Sequence, residues 1–463
     1  MALHGLDAAH VPRHLRAPSR PHDSGGPRVT LAILLLVGLF ILLMIAGVPI
    51  GVAMGLTGFL VIAMEGMGVM ALPTNIWTGI AKYPLLALPM FVLAGMVFER
   101  AGVAARMVGF AQLLVGNRTG ALAIVAVLLC MILGGVSGSG AADAAAVAAV
   151  MVPPMLRQGY PPSYVASLTA AGGSTDVLIP PSIPFIVYAV LVPGVSVPAL
   201  FLAGVVPGIL SGLALIIPAV WLARRGGFGL PEPRSARPPL TAARLWRSFL
   251  EALWGLAAPV VILGGLRSGA FTPTEAAVVA VFYGLFVGVV VYRSLTWRDI
   301  YEVLRDSAEI SAVVLLIIAL AAIYAHAGSA AGIFDALATL LIGLTTNETV
   351  MLLAITVLLM IAGTALDAIS TYLIFLPILL PIAALFHWDL TWFGVIITMN
   401  VAIGAFTPPT AVNLMVTCRI AGCTMESTMV WVWWFLLAMT AVLLAVTFVP
   451  EIALALPRWM GDL

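Results

Sequence analysis

The chain has 463 residues, of which 62% are hydrophobic and 9% charged, with 21 Lys+Arg against 20 Asp+Glu. Soluble domains carry about 25% charged residues, so this composition excludes an ordinary soluble domain and predicts an all-α polytopic membrane protein lodged in a lipid bilayer. A net charge of +1 excludes a nucleic-acid role.

Residues 1–28 form a polar tail with Arg13, Arg16, Arg20 and Arg28 against Asp7 and Asp23. The apolar run that begins at Val29 is long and followed by more membrane sequence, so the reading is a disordered or surface-bound tail and not a cleaved signal. A first membrane repeat is expected over 29–223. It opens with apolar segments near 29–48 and 51–64. In Tyr83-Pro-Leu-Leu-Ala-Leu-Pro-Met-Phe91 two prolines disturb any regular helix. The run from Ala121 to Met155 is then interrupted at Gly134-Gly-Val-Ser-Gly-Ser-Gly-Ala-Ala-Asp143. The apolar arms on either side are shorter than the roughly twenty residues that span a bilayer. Broken backbone survives in lipid only inside protein or beside a wet cavity. The stretch therefore reads as the tip of a re-entrant hairpin, with a surface loop as the plainer alternative. A second break falls at Ala171-Gly-Gly-Ser-Thr-Asp-Val-Leu-Ile-Pro-Pro-Ser182, inside the run Leu168–Val192.

Residues 224–248 form a basic, Pro-rich linker: Arg224, Arg225, Arg234, Arg237, Arg244 and Arg247 stand against Glu232 alone. Positive charge predicts a cytoplasmic location, and the basic tail leans the same way. The second membrane repeat, 249–463, echoes the first. Pro49 and Pro273 are 224 residues apart, as are Asp143 and Asp367, and Pro153 and Pro377; Pro180-Pro181-Ser182 is matched by Pro408-Pro409-Thr410 at 228. Paired Gly/Pro-interrupted segments in two halves point to a transporter's binding site, and about eleven to twelve crossings are expected with re-entrant hairpins and broken helices. Whether the repeats are inverted stays open at this point.

Few residues can carry chemistry. Cys130, Cys418 and Cys423 lack CxxC spacing, giving neither a disulfide framework nor a zinc site. No HExxH occurs, and the sole lysine, Lys82, is in no GxxxxGK loop. No cofactor is implied, and no enzyme. Intramembrane carboxylates are functional candidates by default: Asp143, Asp176, Glu275 and Asp367. Asp143 and Asp367 also suit helix capping, and Glu275 in Phe271-Thr-Pro-Thr-Glu275 suits a helix start. Asp176 has no obvious capping duty. The breaks supply Ser137, Ser139, Ser174, Thr175 and Ser182 in one half, and Thr364, Ser370, Thr407, Thr410 and Asn413 in the other. Hydroxyls and freed carbonyls of this kind suit Na⁺, while half-helix N-termini after Pro181 and Pro409 favour a carboxylate. Trp431, Trp433 and Trp434 read as an interfacial belt.

These motifs resemble the large membrane subunit of tripartite ATP-independent periplasmic (TRAP) transporters, the DctM type, over residues 29 to about 450. The likeness rests on Tyr83–Met90, Gly135–Asp143, Ile179–Pro184, Phe201–Gly208, Gly269–Ala277 and Ala405–Thr410 with Asn413. It implies a Na⁺-coupled importer of an organic acid such as a dicarboxylate, in the bacterial inner membrane, working as an elevator. A small four-helix subunit (DctQ type) and a periplasmic binding protein (DctP type) would be its partners. By resemblance, Na⁺ would lie at Gly135, Ser137, Ser182, Gly363, Thr364 and Thr407. Further substrate- or ion-binding candidates are Ser139, Asp143, Ser174, Thr175, Asp176, Pro180, Pro181, Asp367, Pro408, Pro409, Thr410 and Asn413. Asp176 departs from the family pattern, which favours a small or apolar residue there. Rival readings are a stand-alone divalent-anion/Na⁺ symporter and a non-translocating assembly subunit.

Overall fold

The computed structural model describes residues 27–68, 70–116, 118–230 and 241–462. Residues 1–26 of the polar tail and the linker residues Glu232, Arg234 and Arg237 fall outside them. Among the described residues every regular element is helical. In chain order the α-helices are α1 (Pro27–Ile33), α2 (Phe40–Ile45), α3 (Ile50–Met64), α4 (Ala71–Ile80), α5 (Ala87–Arg100), α6 (Val103–Val115), α7 (Ala121–Ser137), α8 (Gly140–Arg157), α9 (Pro162–Gly173), α10 (Ile183–Leu191) and α11 (Val197–Gly226). After the linker come α12 (Ala242–Arg267), α13 (Pro273–Phe286), α14 (Trp297–Ala330), α15 (Ile333–Leu344), α16 (Glu348–Ala365), α17 (Ala368–Leu385), α18 (Leu390–Gly404), α19 (Val412–Ala421), α20 (Met425–Phe448) and α21 (Glu451–Met460).

Eight helical segments among the described residues are long and apolar enough to cross a bilayer. Others are apolar but short, including α7, α18 and α19, at 17, 15 and 10 residues. Those helices are shorter than the roughly twenty residues usual for a full span. Hairpin 1 is α7–α8, turned at Gly138 (φ 61°); hairpin 2 is α16–α17. The first broken helix is α9 and α10 around residues 174–182, and the second is α18 and α19 around 405–411. Pro180–Pro181 and Pro408–Pro409 are both cis. Each break is followed by one long helix, α11 or α20, completing the repeat.

The repeats are inverted, which the sequence left open. At one end of α11 the Gly120 N–H donates to Gly229 O and the Gly229 N–H to Gln158 O, both at 3.1 Å, fixing the base of hairpin 1. At the other end Tyr188 donates to Leu390 O at 2.8 Å, and Trp388 to Glu348 at 2.8 Å, fixing the base of hairpin 2. The 30 residues of α11 separate those ends by about 45 Å, so the two hairpins enter from opposite faces.

One expectation needs correction. The spacing that paired Asp143 with Asp367 is one turn out of register. Asp367 is the N-cap of α17, accepting from Ile369 N at 3.2 Å. Its positional counterpart is Ser139, the N-cap of α8, and Asp143 lies inside that helix. The described helices that flank the tail and the linker lie toward opposite ends of α14. Helix α1 packs on α15, which follows the end of α14, whereas the start of α14 is tied through Asp299 and Glu302 to Arg100, on the linker side.

Smaller expectations hold as local chemistry. Thr272 and Glu275 form a reciprocal capping box at the start of α13. Trp431, however, is a packing residue: its indole donates to Ser163 at 3.1 Å, and it stands edge-on to Tyr164 and Phe228. Trp433 remains exposed, as a belt residue would be.

Candidate functional site

The two hairpin tips and the two broken helices converge on one cavity of about 260 Å³. Four helix N-termini open onto it, contributing Gly140 of α8, Ile183 of α10, Ala368 of α17 and Val412 of α19. Each terminus exposes unpaired N–H groups and a partial positive charge. The sequence makes these termini by simple means: glycine, proline or an N-cap residue stops one half-helix before the next begins.

The hairpins are held against the broken helices by missing side chains. At Gly138 an added Cβ would meet the Pro181 carbonyl oxygen at 2.1 Å, so only glycine lets the tip of hairpin 1 lie on the first break. In the other half Gly404 lies on Gly363, where an added Cβ would come within 2.2 Å of the Gly363 carbonyl carbon.

Of the residues expected from sequence, Ser137, Ser139, Asp143, Ser174, Gly363, Thr364, Asp367 and Asn413 line the cavity. Ser137 donates its hydroxyl hydrogen to Asp143. Ser174 donates to Ala170 O at 3.1 Å and accepts from Asn413 Nδ2 at 3.0 Å, which joins the two breaks directly. Thr364 donates only to Ile361 O, at 2.8 Å, on its own helix. Asp367 accepts the Ser370 hydroxyl as well as its capping N–H.

The others stand behind that wall. Ser182 caps α10, accepting from Phe185 N at 3.4 Å while donating to Val177 O at 2.5 Å. Thr175 is buried and donates to Gly172 O at 2.8 Å. Thr407 donates to Ile403 O at 2.7 Å. Gly135 packs on Pro259 of α12. Asp176, Pro180, Pro181, Pro408, Pro409 and Thr410 are also not among the lining residues.

Sequence reasoning missed Glu99. It ends an apolar run in α5, where a carboxylate reads as a surface charge, yet it faces the cavity beside Met96 and Gly95. With Glu99 included, every charged side chain in the lining is acidic: Glu99, Asp143 and Asp367.

The profile of the family described as "Tripartite ATP-independent periplasmic transporter, DctM component" matches residues 37–452. The chain is 36% identical to the C4-dicarboxylate TRAP transporter large permease protein DctM of Rhodobacter capsulatus, covering 93% of this chain and 100% of that one. It is 35% identical to the 2,3-diketo-L-gulonate TRAP transporter large permease protein YiaN of Escherichia coli K12, with 93% and 100% covered. With the isethionate TRAP transporter permease protein DctMQ of Oleidesulfovibrio alaskensis the identity is 36%; the match covers 90% of this chain and 65% of that longer protein. The Alcanivorax borkumensis YdaH transporter shares the fold, with a TM-score of 0.57 at 14% identity over 94% of this chain and 98% of that one.

Proposed function

Because the chain belongs to the DctM family of TRAP transporters, as one of its large permeases, we propose that it is the translocating subunit of a cation-coupled importer of an organic acid, with Na⁺ as the coupling ion. It is a transport component and not an enzyme. In this reading it resides in a bacterial inner membrane, clasped by a small four-helix subunit and fed by a periplasmic binding protein.

One observation carries the reading. The cavity presents three carboxylates and no basic side chain among its lining residues, while four helix N-termini point at it. An organic anion set beside those carboxylates needs positive charge, and half-helix N-termini supply only about half an elementary charge each. Cations that enter with the substrate close that gap, so binding of the two is coupled by charge. Thr364, Asp367 and Gly363 in hairpin 2, with Ser137 and Ser139 in hairpin 1, supply oxygens of the type Na⁺ takes. One Na⁺ moving inward through 100 mV releases about 2.3 kcal/mol, and a tenfold gradient adds about 1.4. No nucleotide is required.

The packing supports an elevator. The broken helices and hairpin arms α8, α9 and α19 pack on one another, whereas α3 packs on α14 and α5 on α13. Between these groups the tip of hairpin 1 meets α5 at Gly95, where an added Cβ would lie 2.6 Å from Ser137 Cβ. At this point the two groups meet through small residues, which is compatible with one sliding past the other.

The relatives named above are described for a C4-dicarboxylate, isethionate and 2,3-diketo-L-gulonate, so the choice of organic anion is assigned to the separate binding protein. The test is uptake into proteoliposomes holding this chain, its small subunit and the binding protein, with a panel of labelled organic acids and an inward Na⁺ gradient. Uptake that needs all three proteins and Na⁺ is expected. Uptake by this chain alone would establish the symporter instead, and Na⁺-independent uptake would end the coupling argument.

A further inference from the structure

The chain has three cysteines, Cys130, Cys418 and Cys423. Cys130 lies fully buried in α7, with the Thr169 carbonyl oxygen at 4.0 Å as its polar neighbour. Cys418 and Cys423 stand together at the end of α19, and the transport reading gives them no task. Their spacing in the sequence is not the CxxC of a familiar redox motif.

The turn between them explains the pairing. Helix α19 ends at Ala421, and Gly422 turns the chain with φ 70°. The Gly422 N–H and the Cys423 N–H both return to the Cys418 carbonyl oxygen, the latter at 3.1 Å. A backbone bond of this kind across a left-handed glycine is a Schellman closure, and it folds the residue after the glycine against the last turn of the helix. Here both facing positions are cysteines, and their thiols lie side by side. A disulfide needs Cα atoms about 4.4–6.8 Å apart, and the backbone bond already draws the two residues together.

The two thiols differ in access. Cys418 is 4% exposed and packs in the core, whereas Cys423 is half-buried between the exposed residues Gly422 and Thr424. This end of α19 lies on the linker side. Thr417 donates to Ala166 O at 3.0 Å and Trp431 to Ser163 at 3.1 Å, both near the start of α9, and Trp431 stands edge-on to Phe228 at the base of hairpin 1. A water-soluble reagent therefore reaches Cys423 first, and Cys418 only through it. Among the described residues no set of three His, Cys, Asp or Glu side chains gathers to hold a metal ion, so the pair lacks the further ligands of a metal site.

We propose that Cys418 and Cys423 form a dithiol that closes reversibly to a disulfide, a redox-sensitive modification site at the end of the second broken helix. The oxidant is a small-molecule disulfide such as oxidised glutathione. The Cys423 thiolate attacks one sulfur of that reagent, its S–S bond breaks, and the first small thiol leaves with the proton from Cys423. The Cys418 thiolate then attacks the Cys423 sulfur, and the second small thiol leaves with the proton from Cys418. Two protein thiols are oxidised and one small disulfide is reduced to two thiols. The new bond closes a loop around Gly422 and fixes the junction of α19 with α20. Where the linker side faces the cytoplasm, the pair rests reduced and closes only under oxidising conditions. This thiol chemistry stands apart from the importer reading.

The test treats the full chain with its small subunit in nanodiscs with oxidised glutathione. Remaining thiols are then blocked with N-ethylmaleimide in denaturant, and the intact chain is weighed by mass spectrometry. Wild type should carry one maleimide, on Cys130, and no glutathione. Dithiothreitol given before blocking should restore a maleimide on each of the three cysteines. Cys418→Ser should keep glutathione on Cys423, because the resolving thiol is gone. Cys423→Ser should take none, because Cys418 is shielded. A wild type that takes maleimide on all three cysteines after oxidation, or that keeps glutathione on Cys423, overturns the proposal. The wild-type result decides even where a variant fails to fold. Uptake plays no part in the readout, so failure here and failure of the importer reading are distinguishable.

Discussion

Replacing Gly138 with alanine attacks the contact that seats hairpin 1 on the first broken helix. Two costs add. Gly138 holds φ at 61°, and a left-handed conformation costs an L-residue about 1–2 kcal/mol. The new methyl would also meet the Pro181 carbonyl oxygen at 2.1 Å, well inside normal contact. Overpacking of this kind costs about 1–3 kcal/mol when neighbours yield, and the neighbour here is backbone, which yields least. The sum is about 2–5 kcal/mol. Gly332, with φ 70° and nothing within 4 Å of an added Cβ, is the matched control carrying the strain without the collision. The assay is the thermal midpoint in detergent, followed by tryptophan fluorescence, alongside Na⁺-driven uptake in proteoliposomes. Gly138→Ala should lower the midpoint by about twice as much as Gly332→Ala, on these two estimates, and should abolish uptake; the control should keep it. Equal midpoint losses, or uptake preserved in Gly138→Ala, would refute the argument that this glycine is required for close approach.

Further outcomes follow from the same geometry. Gly404→Ala drives a methyl into the Gly363 backbone at 2.2 Å, whereas Gly363→Ala meets nothing closer than 3.1 Å. The first should therefore destabilise more, and the reverse order of midpoints would contradict the packing argument. Ser182→Ala removes the N-cap of α10 and should cost about 1 kcal/mol. Thr364→Ala loses only a bond to its own helix, so it should leave the midpoint unchanged yet raise the Na⁺ concentration needed for uptake; unaltered Na⁺ activation would remove Thr364 from the ion site. Outside the membrane core, the hydroxyl and backbone N–H of Thr296, then Arg100, hold the Asp299 carboxyl down at about 2. Its folded value is depressed, so its contribution is present above the ordinary carboxylate range and is lost as pH falls. The midpoint difference between wild type and Asp299→Asn should hold from neutral pH to about pH 4 and shrink below it. A difference that vanishes already near neutrality would refute that assignment.

The amino-acid sequence by itself determined the class, the duplication and the punctuation. A bilayer admits only apolar surfaces with internally satisfied backbone, so a chain this apolar belongs in one. Gly, Ser and Pro in Gly134–Asp143, Ala171–Ser182 and Ala405–Thr410 signal breaks, and regular helix stops inside them, at residues 138–139, 174–182 and 405–411. Thr272 and Glu275 were likewise legible, since a capping box spans three residues. What tertiary structure decided were relations across distance. Inversion of the repeats depends on which ends of α11 meet each hairpin, and those contacts join residues far apart in the chain. The register of Asp143 against Asp367 looked equal by spacing, but the hairpin turns place them one helical turn apart. Glu99 sits at the end of a hydrophobic run, where one-dimensional pattern cannot separate a carboxylate in water from one facing a cavity. Asp176 stood out in the sequence as a carboxylate without a local duty. Only the fold sets it behind Asp143 with no donor in reach, because desolvation and charge pairing depend on what surrounds a group in three dimensions and not on its neighbours in the chain.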